Sequence, residues 1–405
     1  MNILVAGAKG FVGRNLIENL KNIKEGKNRT RPEIIIGNIY EYDFKTDTIE
    51  HLDRCCSDCD YVFDLTNLSQ NKTKVGKNNQ CFSSALVDSL KRHGNRCYVI
   101  RPSEQYSSFC SDGLHTSFDD ESGLTFLEYF IPHLVGKWVD SGYHSEVVEL
   151  CDSIANGRQY SVENRKKVVD LLFIDDFVNE MFDALEGHPH RCDYPVLGSD
   201  SSDPTAQWDG VTPIPNEKGR FCYVPITHKS SLGTIVDYLE SFRRLNESFI
   251  IPEVPTGSLA YKLFSMYLSY LPEERMSYPL KMNTDERGTF TELLKTVNNG
   301  QVSINIARPG NVRGQHWHNT KWEIFIVVSG HALIQERKIG INPETGKEYK
   351  LREFEVYGEE MKAVIMLPGY AHNIINLEND KDLVTVMWAN ESFDPEHPDT
   401  FREEV

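Results

Sequence analysis

The chain has 405 residues, enough for two or three domains, and its 40% hydrophobic and 25% charged residues are typical of a soluble globular protein. A net charge of -17 without any basic run disfavours nucleic-acid binding, which needs clustered lysines and arginines. No apolar run approaches the roughly 20 residues that span a bilayer, and the first residues lack the features of a secretory signal. We therefore predict a cytoplasmic protein without nucleic-acid or membrane partners.

The chain begins with an apolar strand, a glycine-rich turn and a helix. Residues 3–5 form the strand, and Gly7, Gly10 and Gly13 follow at a spacing of three. Gly7 permits the tight turn, Gly10 lets the backbone approach a diphosphate, and Gly13 lets the helix pack on the strand. The N-terminus of the helix would then face the phosphates of a dinucleotide. The predicted cofactor-binding residues are Gly7, Ala8, Lys9, Gly10, Phe11, Val12 and Gly13.

Further apolar segments follow at the spacing of alternating strands and helices. A helical pattern occupies residues 82–92, and residues 170–185 predict a short strand and then a helix capped by Asp175 or Asp176. This alternation predicts an α/β domain with a parallel, doubly wound sheet of the Rossmann type. The later strands are predicted at residues 34–36, 61–65 and 98–100.

The nine cysteines are an odd number in a chain without an export signal, so we predict free thiols. Cys55, Cys56 and Cys59 contain a single C-x-x-C. Such a pair could bind zinc or carry redox chemistry. Without a second pair the signal is weak, and we favour small buried residues at a helix end.

Three features of this region resemble the extended short-chain dehydrogenase/reductase family. They are the glycine pattern, the Ile-Asp-Asp-Phe-Val segment at residues 174–178 and the Gly136-Lys-Trp138 turn. The resemblance implies a Rossmann-like domain that binds NADP(H). It also implies a Tyr-x-x-x-Lys pair, whose tyrosine transfers a proton and whose lysine lowers the pKa of that tyrosine.

That catalytic pair is missing from the expected region. No tyrosine in residues 98–145 is followed by a lysine four positions later, and the interval before Gly136 is short for the helix that carries the pair. We predict a degenerate domain that is kept for dimerisation or for holding a substrate. The alternative is that Tyr106 or Tyr129 replaces the missing tyrosine.

The predicted strand ends also depart from the family. The second strand would end in Gly37-Asn38, where an acidic residue for a ribose hydroxyl or an arginine for a phosphate is usual. The third would end in Leu65-Thr66-Asn67 instead of Ala-Gly. Ser103, after the fourth strand, could occupy the position of the family's serine.

The middle of the chain predicts loops followed by two helices. Residues 186–225 are rich in proline, aspartate, serine and glycine, and helical patterns occupy residues 234–245 and 259–271. Two prolines within residues 250–255 indicate a linker. The predicted organisation is a Rossmann-like domain at 1–245, a helical linker at 246–282 and a third domain at 283–405.

From Gln301 onward the pattern changes to short strands separated by turn residues, with no long helix between them. Closely spaced short strands predict an all-β antiparallel barrel or jelly roll. The clearest predicted strands lie at residues 302–307, 323–328, 351–356, 363–367 and 383–388.

Two histidine motifs lie on these strands. The first places His316, His318 and Glu323 between two glycines, and the second is Pro368-Gly369-Tyr-Ala-His372. His316 and His318 are two residues apart on a strand, so their side chains share a face. Three imidazoles and one carboxylate inside a barrel suit Zn²⁺, Fe²⁺, Mn²⁺ or Ni²⁺. We predict that these residues bind a divalent metal ion and do not merely fill a core. Among the four ions we favour Zn²⁺. The predicted ligands are His316, His318, Glu323 and His372.

The spacings within both motifs resemble those of the cupins, which implies a cupin jelly-roll barrel. Two further segments, Asp285-x-Arg287-Gly288-x-Phe290-x-Glu292 and Gly310-Asn-Val-Arg313-Gly-Gln-His316, resemble the nucleotide-sugar 3,5-epimerases of rhamnose synthesis. This resemblance implies that His316 is the general base, that Arg313 binds a phosphate, and that Arg287 and Glu292 contact the substrate.

The two resemblances compete for one side chain. A histidine that binds a metal through one nitrogen cannot also remove a proton with it, so His316 is either ligand or base. If His316 is a ligand, the alternative bases are Tyr370, Lys321 and His331.

The order of segments along nearly the whole chain resembles the CapF-type bifunctional enzymes of bacterial capsule synthesis. Matching segments include Tyr267-Leu-Ser-Tyr-Leu271, residues 277–283 and the tail at 387–400. The resemblance implies that the cupin epimerises C3 of a UDP-linked 2-acetamido-2,6-dideoxy-4-keto-hexose and that the other domain reduces C4 with NADPH. The resemblance to the cupins, which often pair through strand exchange, implies a homodimer.

We predict the epimerase, and we treat the reductase step as doubtful because the Tyr-x-x-x-Lys pair is missing. One alternative is a fully bifunctional epimerase and reductase with a UDP-N-acetyl-L-talosamine-type product. Another is a non-catalytic sugar-binding or scaffold protein.

Overall fold

The computed structural model describes residues 1–68, 76–94, 96–103, 123–139, 145–193, 213–219 and 221–405. The chain forms two compact units. The first comprises Met1–Leu239 and Thr256–Leu271, and the second comprises Glu240–Pro255 and Pro272–Val405. The segment expected to be a linker is thus divided between the two units.

The first unit is built on a twisted, mainly parallel sheet. Its strands lie in the order β2-β1-β3-β4-β5-β10-β8-β9, and every pair from β2 to β10 is parallel. This confirms the predicted doubly wound α/β fold. The strands are β1 (Ile3–Ala6), β2 (Ile39–Tyr42), β3 (Tyr61–Asp64), β4 (Cys97–Ser103), β5 (Leu124–Phe130), β8 (Arg191–Asp193), β9 (Ile214–Pro215) and β10 (Phe221–Tyr223).

The second strand is not where the sequence predicted it. Residues 34–36 lie outside the sheet, and β2 begins at Ile39. The reason is register, because β1 begins only at Ile3, which pairs with Ile39. Residues 34–36 therefore have no strand beside them. Their backbone contacts are local or involve Met1: the Ile34 N–H donates to the Arg31 carbonyl, and the Met1 amino group donates to the Ile35 carbonyl. Because β2 ends at Tyr42, the residue that follows it is Asp43.

Helices cover the sheet, and a smaller sheet of order β11-β7-β6 lies in the same unit. β7 continues directly into α5, so the helix N-cap is Phe173 and not Asp175 or Asp176 as predicted. Both aspartates lie in the first turn, where negative charge favours the helix dipole. The elements are α1 (Phe11–Lys24), α2 (Ile49–Cys56), α3 (Gly76–His93), β6 (His133–Val135), α4 (Glu146–Ala155), β7 (Val168–Phe173), α5 (Ile174–Leu185), β11 (His228–Ser231), α6 (Leu232–Arg243), α7 (Leu245–Ser248) and α8 (Leu259–Ser269).

The cysteine cluster belongs to the apolar core of the first unit. Cys55, Cys56 and Cys59 are all buried there with Leu4 and Val62. Burial raises the pKa of the Cys55 thiol to about 11. A protonated, buried thiol is neither a good nucleophile nor a good metal ligand, so these residues act in packing.

The second unit is a mainly antiparallel barrel of two sheets, in which only the short β12 pairs in parallel, and this confirms the predicted cupin-type fold. One sheet has the order β12-β14-β15-β24-β17-β22, with β13 beside β14, and the other has the order β21-β18-β23-β16-β25. The strands are β12 (Ile250–Ile251), β13 (Met282–Asp285), β14 (Gly288–Thr296), β15 (Gln301–Ala307), β16 (Val312–Trp317), β17 (Glu323–Ser329), β18 (His331–Lys338), β19 (Ile341–Asn342), β20 (Lys347–Glu348), β21 (Arg352–Tyr357), β22 (Ala363–Met366), β23 (Tyr370–Asn376), β24 (Leu383–Ala389) and β25 (Phe401–Arg402).

The barrel interior has an apolar part and a polar part. Apolar side chains such as Phe325, Ile334 and Leu383 form a buried cluster. Alternate residues of β15, by contrast, place Ser303 and Asn305 on a buried face. Polar groups are costly in a core that only needs packing, so this strip favours a ligand site.

No helix in the described ranges combines the length and the apolar character needed to cross a membrane.

Candidate metal centre and nucleotide-sugar site

The four predicted metal ligands come together in the barrel, although they arise from both sheets. His316 lies on β16 and faces His372 across the strand pair, and His318 directly follows β16. Glu323 is the first residue of β17 in the other sheet. One nitrogen or oxygen from each of the four residues lies within 4.8 Å of the others.

A β-bulge orients the side chain of His316. The register of β16 and β23 shifts between Gly314 and His316, and Gln315 there has a φ of 63°. Such bulges redirect side chains beside functional sites. Gly314 has a φ of 93°, and a Cβ at this position would lie 2.8 Å from the His372 carbonyl oxygen, so only glycine fits.

The geometry of the cluster fits a divalent metal. Glu323 Oε2 lies 3.6 Å from His318 Nε2 and 3.4 Å from His372 Nε2. These three atoms are buried and have no hydrogen-bond partner among the described residues. Buried polar atoms rarely lack partners, and a bound ion would satisfy all three at once. Burial alone would raise the pKa of Glu323, but His318 and His372 hold it well below its usual value.

His316 is the least buried of the four residues. Burial lowers its pKa to about 4, and the neighbouring His372 and His318 add to this shift. A neutral imidazole at neutral pH suits a metal ligand and a general base equally well.

The structure separates the three alternative bases. Lys321 Nζ lies 3.4 Å from Glu323 Oε1, beside the cluster. Tyr370 is two residues before His372 on β23, so both side chains share a face, and its hydroxyl accepts a hydrogen bond from Arg352. His331 pairs with Glu355 and lies five residues from Glu336, the partner of His372, so it is about 17 Å along β18 from the cluster.

Each of the three predicted substrate residues forms an ion pair with an oppositely charged side chain. Arg313 donates to Asn305 Oδ1 at 3.0 Å and to Asp285 Oδ1 at 3.0 Å. Arg287 donates to the same Asp285 carboxylate at 2.7 Å. The two arginines hold the pKa of Asp285 at about 2, with the Arg287 hydrogen bond as the larger cause. Glu292, on β14, pairs with Lys295 at 2.7 Å.

The glycine loop of the first unit has the form that a dinucleotide requires. Gly7 has a φ of 91°, and a Cβ on Gly13 would lie 2.2 Å from the Gly7 carbonyl oxygen. Gly10 is the N-cap of α1, which begins at Phe11. The backbone therefore passes close to the start of the helix without side chains in the way, so the loop fits a diphosphate. Ala8, Lys9 and Val12 complete the predicted segment, and Lys9 Nζ donates to Thr46 Oγ1 at 2.8 Å.

Sequence reasoning missed an acidic residue beside this loop. Asp43 follows β2, and the N–H groups of Gly7 and Ala8 donate to the preceding carbonyl of Tyr42. In dinucleotide-binding folds this position contacts the adenosine ribose, and a carboxylate there accepts from its hydroxyls. The missing signal was the register of β2, which places Asp43 rather than Asn38 after the strand.

The Tyr-x-x-x-Lys spacing of the short-chain reductases is absent from the sequence. Throughout the sequence, no tyrosine is followed by lysine four positions later. Tyr129 is fully buried, and its hydroxyl donates to Glu180 at 2.7 Å, so it is committed to the core. Tyr106 lies outside the described residues, and Ser103 is the last residue of β4.

Together, the fold and the site define a two-unit protein that combines a Rossmann-like sheet with a barrel holding a His₃Glu cluster. Comparisons agree with this class. The sequence model of the polysaccharide biosynthesis C-terminal domain family matches residues 283–401. The capsular polysaccharide assembling protein CapF from Staphylococcus aureus is 33% identical, the match covers 100% of both chains, and its crystal structure superposes with a TM-score of 0.78. The chain belongs to the CapF family.

Two curated relatives extend the comparison. A Pseudomonas aeruginosa UDP-2-acetamido-2,6-beta-L-arabino-hexul-4-ose reductase is 29% identical over 99% of this chain and 98% of its own length. The spore coat polysaccharide biosynthesis protein SpsL from Bacillus subtilis is 27% identical over 131 residues, which are 30% of this chain and 83% of that protein.

Proposed function

We propose that this protein is an enzyme of nucleotide-sugar metabolism in capsular or surface polysaccharide biosynthesis. Its barrel would epimerise C3 of a UDP-2-acetamido-2,6-dideoxy-4-keto-hexose. The CapF and UDP-sugar reductase relatives support the pathway and the nucleotide-sugar substrate. The observation that carries the proposal is the convergence of His316, His318, Glu323 and His372, of which three buried atoms have no hydrogen-bond partner in the described part of the chain.

The chemistry requires an acidic C–H and a stabilised enolate. The C4 ketone of such a sugar acidifies the proton on C3, and returning a proton to the opposite face inverts that carbon. A divalent metal held by the four residues would polarise the C4 carbonyl. The polar strip of Ser303 and Asn305 inside the barrel provides hydrogen-bonding groups for a sugar ring.

We assign the removal and the return of the C3 proton to side chains that do not bind the metal. With His316 as a ligand, Lys321 and Tyr370 are the remaining predicted bases close to the cluster, since His331 lies at the far end of β18. Lys321 is held beside Glu323, and its side chain is only 12% exposed. Epimerisation uses one group to remove the proton and a second to replace it, which fits two such residues.

The nucleotide is expected at the Asp285 cluster. Arg313 is largely buried and Arg287 is exposed, and both are already oriented by the carboxylate of Asp285. Arginine presents a planar set of donors that matches phosphate oxygens. We expect the diphosphate to take hydrogen bonds from these guanidinium groups, although Asp285 lowers the net positive charge.

For the first unit we propose dinucleotide binding without the short-chain reductase mechanism. Residues 7–13 would hold the diphosphate, and a bound nicotinamide dinucleotide would supply hydride chemistry. Among the described residues the proton donor of that family has no counterpart, because the Tyr-x-x-x-Lys spacing is absent from the sequence and Tyr129 is buried against Glu180.

The test is proton exchange at C3. The zinc-loaded protein is incubated with a UDP-4-keto-6-deoxy-N-acetylhexosamine in D₂O, with and without NADPH or NADH, and the sugar is followed by NMR. We expect deuterium at C3 in the absence of NADPH and NADH, and no reduction at C4 when either of these two cofactors is added. Lys321→Met and Tyr370→Phe should lose exchange while retaining zinc, and Lys338→Met serves as a control on a neighbouring strand.

Two other outcomes of the exchange experiment would contradict parts of the proposal. Exchange together with NADPH or NADH consumption would show that the reductase step survives and that the proposal for the first unit is wrong. Zinc binding without any exchange would contradict the epimerase proposal for this substrate and favour a sugar-binding role.

A further inference from the structure

The C-terminal tail runs alongside the strand that carries the first predicted ligand. β25 pairs with β16, with Phe401 opposite Trp317 and Arg402 opposite His316. The N–H of Glu403 donates to the Gln315 carbonyl at 3.1 Å, and the N–H of Val405 donates to Gln315 Oε1 at 2.8 Å. The tail is therefore fixed to the bulged segment of β16.

One side chain of the tail organises the loop between two predicted ligands. The Asp399 carboxylate accepts hydrogen bonds from the backbone N–H groups of Asn319, Thr320 and Lys321 at 2.8, 2.8 and 3.0 Å. It also accepts from the Thr320 hydroxyl at 3.2 Å. These residues join His318 to the segment that leads to Glu323. A single carboxylate thus satisfies three consecutive backbone donors, as at the start of a helix.

The backbone of the same residue contacts the buried histidine. His318 Nδ1 donates a hydrogen bond to the Asp399 carbonyl oxygen. A carbonyl can only accept, so the proton must be on Nδ1 and the lone pair on Nε2. His318 Nε2 is the atom that lies 3.6 Å from Glu323 Oε2 within the cluster.

We propose that Asp399 is a positioning residue of the metal centre. Its carbonyl fixes the tautomer and ring orientation of His318, and its carboxylate holds the loop that places Lys321 beside Glu323. The inference rests on the metal centre proposed above and extends it to a residue outside both histidine motifs. Groups that orient metal-binding histidines contribute to metal retention without touching the ion.

The experiment measures zinc release without any substrate. Wild type, Asp399→Ala and Asp399→Asn are loaded with zinc, and transfer to a chromogenic chelator is timed. We expect release to be about 10–100-fold faster for Asp399→Ala, which keeps the backbone carbonyl beside His318 but loses the carboxylate that holds the following loop in place. Asp399→Asn keeps one acceptor oxygen, so its rate of zinc release should lie between those of the wild type and Asp399→Ala. The control is Asp394→Ala in the same tail, where the lost carboxylate only accepts from the exposed Glu396 and His397.

A second measurement separates positioning from general stability. The melting temperature of each variant is determined with and without zinc. If Asp399 positions the metal centre, zinc should raise the melting temperature of Asp399→Ala by less than it raises that of the wild type. If its role is merely structural, the substitution should lower the melting temperatures with and without zinc equally. Wild-type release rates in Asp399→Ala, or an unchanged zinc-dependent increase, would overturn the proposal.

The result does not depend on the epimerase assay. A wild type that retains zinc without exchanging the C3 proton would remove the proposed activity and leave the role of Asp399 standing. A wild type that retains no zinc would overturn both the metal centre and this inference.

Discussion

Two clusters of buried polar groups, one in each unit, differ in whether their atoms have hydrogen-bond partners. In the barrel, nitrogen and oxygen atoms of His318, Glu323 and His372 face one another without hydrogen-bond partners among the described residues. In the first unit, Glu180 is buried but accepts from both Tyr129 and His190. Unsatisfied groups that converge on one point are typical of a ligand site, whereas mutually satisfied groups only hold a core together. The comparison supports our proposal that the barrel carries the chemistry.

The sharpest test of this comparison removes one charge from the cluster. Glu323→Gln keeps the shape of the side chain but removes the negative charge that faces two histidines. We expect loss of bound zinc and a fall in C3 exchange of at least about 100-fold. Metal analysis and NMR measure the two effects, and Glu355→Gln, on exposed β21, is the matched control. Full zinc content in Glu323→Gln would break the assignment of chemistry to the barrel.

The two arginines that are predicted to bind the UDP-sugar should contribute unequally to its KM. Arg313 is 12% exposed, whereas Arg287 is 57% exposed. Charged hydrogen bonds contribute about 1.5–3 kcal/mol, so Arg313→Ala should raise KM for the UDP-sugar by about 10–100-fold. Arg287→Ala should have a smaller effect, and the exposed Arg308→Ala should have none. Steady-state kinetics distinguishes the three, and equal effects of Arg313→Ala and Arg287→Ala would contradict the predicted order.

A change in the glycine loop should affect the first unit alone. The Cβ of Gly13→Ala would lie 2.2 Å from the Gly7 carbonyl oxygen, against 3.3 Å for Gly10→Ala. Overpacking of this kind costs about 1–3 kcal/mol. Calorimetry should show a lower melting transition for Gly13→Ala, a smaller change for Gly10→Ala and unchanged zinc binding in both. Loss of zinc in Gly13→Ala would show that the two units do not act separately.

The residue after β2 predicts which dinucleotide the first unit prefers. The Asp43 carboxylate, which accepts a hydrogen bond from the Lys45 N–H at 3.0 Å, would also accept from ribose hydroxyls and would repel a 2′-phosphate. We expect NADH to bind more tightly than NADPH by about tenfold, which corresponds to about 1.4 kcal/mol. Calorimetric titration should show this preference reduced in Asp43→Ser and retained in Glu41→Gln, a control on β2. Tighter binding of NADPH, or no binding of either, would remove the assignment.

The smallest expected effect is a pH dependence within the first unit. Burial raises the pKa of Glu180 above its usual value of 4.5, so the fold favours the protonated carboxyl. A raised pKa contributes stability that is fully present below 4.5 and is lost as the pH rises through the folded-state pKa. Glu180→Gln keeps an acceptor for Tyr129 and should flatten the fall in melting temperature as the pH rises above 4.5, by about a few degrees. An unchanged slope would show that Glu180 does not titrate in this range.

Much of the barrel could be predicted from sequence because its signals are local. Strand alternation, turn residues and the spacing from His316 to His318 each depend on a few neighbouring positions. Their consequence, two side chains on one face, follows from the pleat. The glycine turn at Gly7 and Gly13 was predictable for the same reason.

The α/β unit shows where local signals mislead. Three isoleucines at residues 34–36 have strong β-propensity, but a strand forms only where a partner of the correct register lies beside it. Register is decided by contacts with β1, far away in sequence. The mistaken strand also hid Asp43, because the residue after a strand cannot be identified until the strand end is known.

The sequence by itself determined the two folds, the glycine loop, the four candidate metal ligands and the absence of a Tyr–Lys pair. Each of these depends on residue identity within a short window. Only the tertiary structure decided that Arg313 and Arg287 share Asp285, that Tyr129 is buried against Glu180, and that Asp399 holds the loop beside His318. These contacts join residues that are distant in sequence, and no periodicity or spacing encodes which hydrogen-bond donor a folded chain will place against which acceptor.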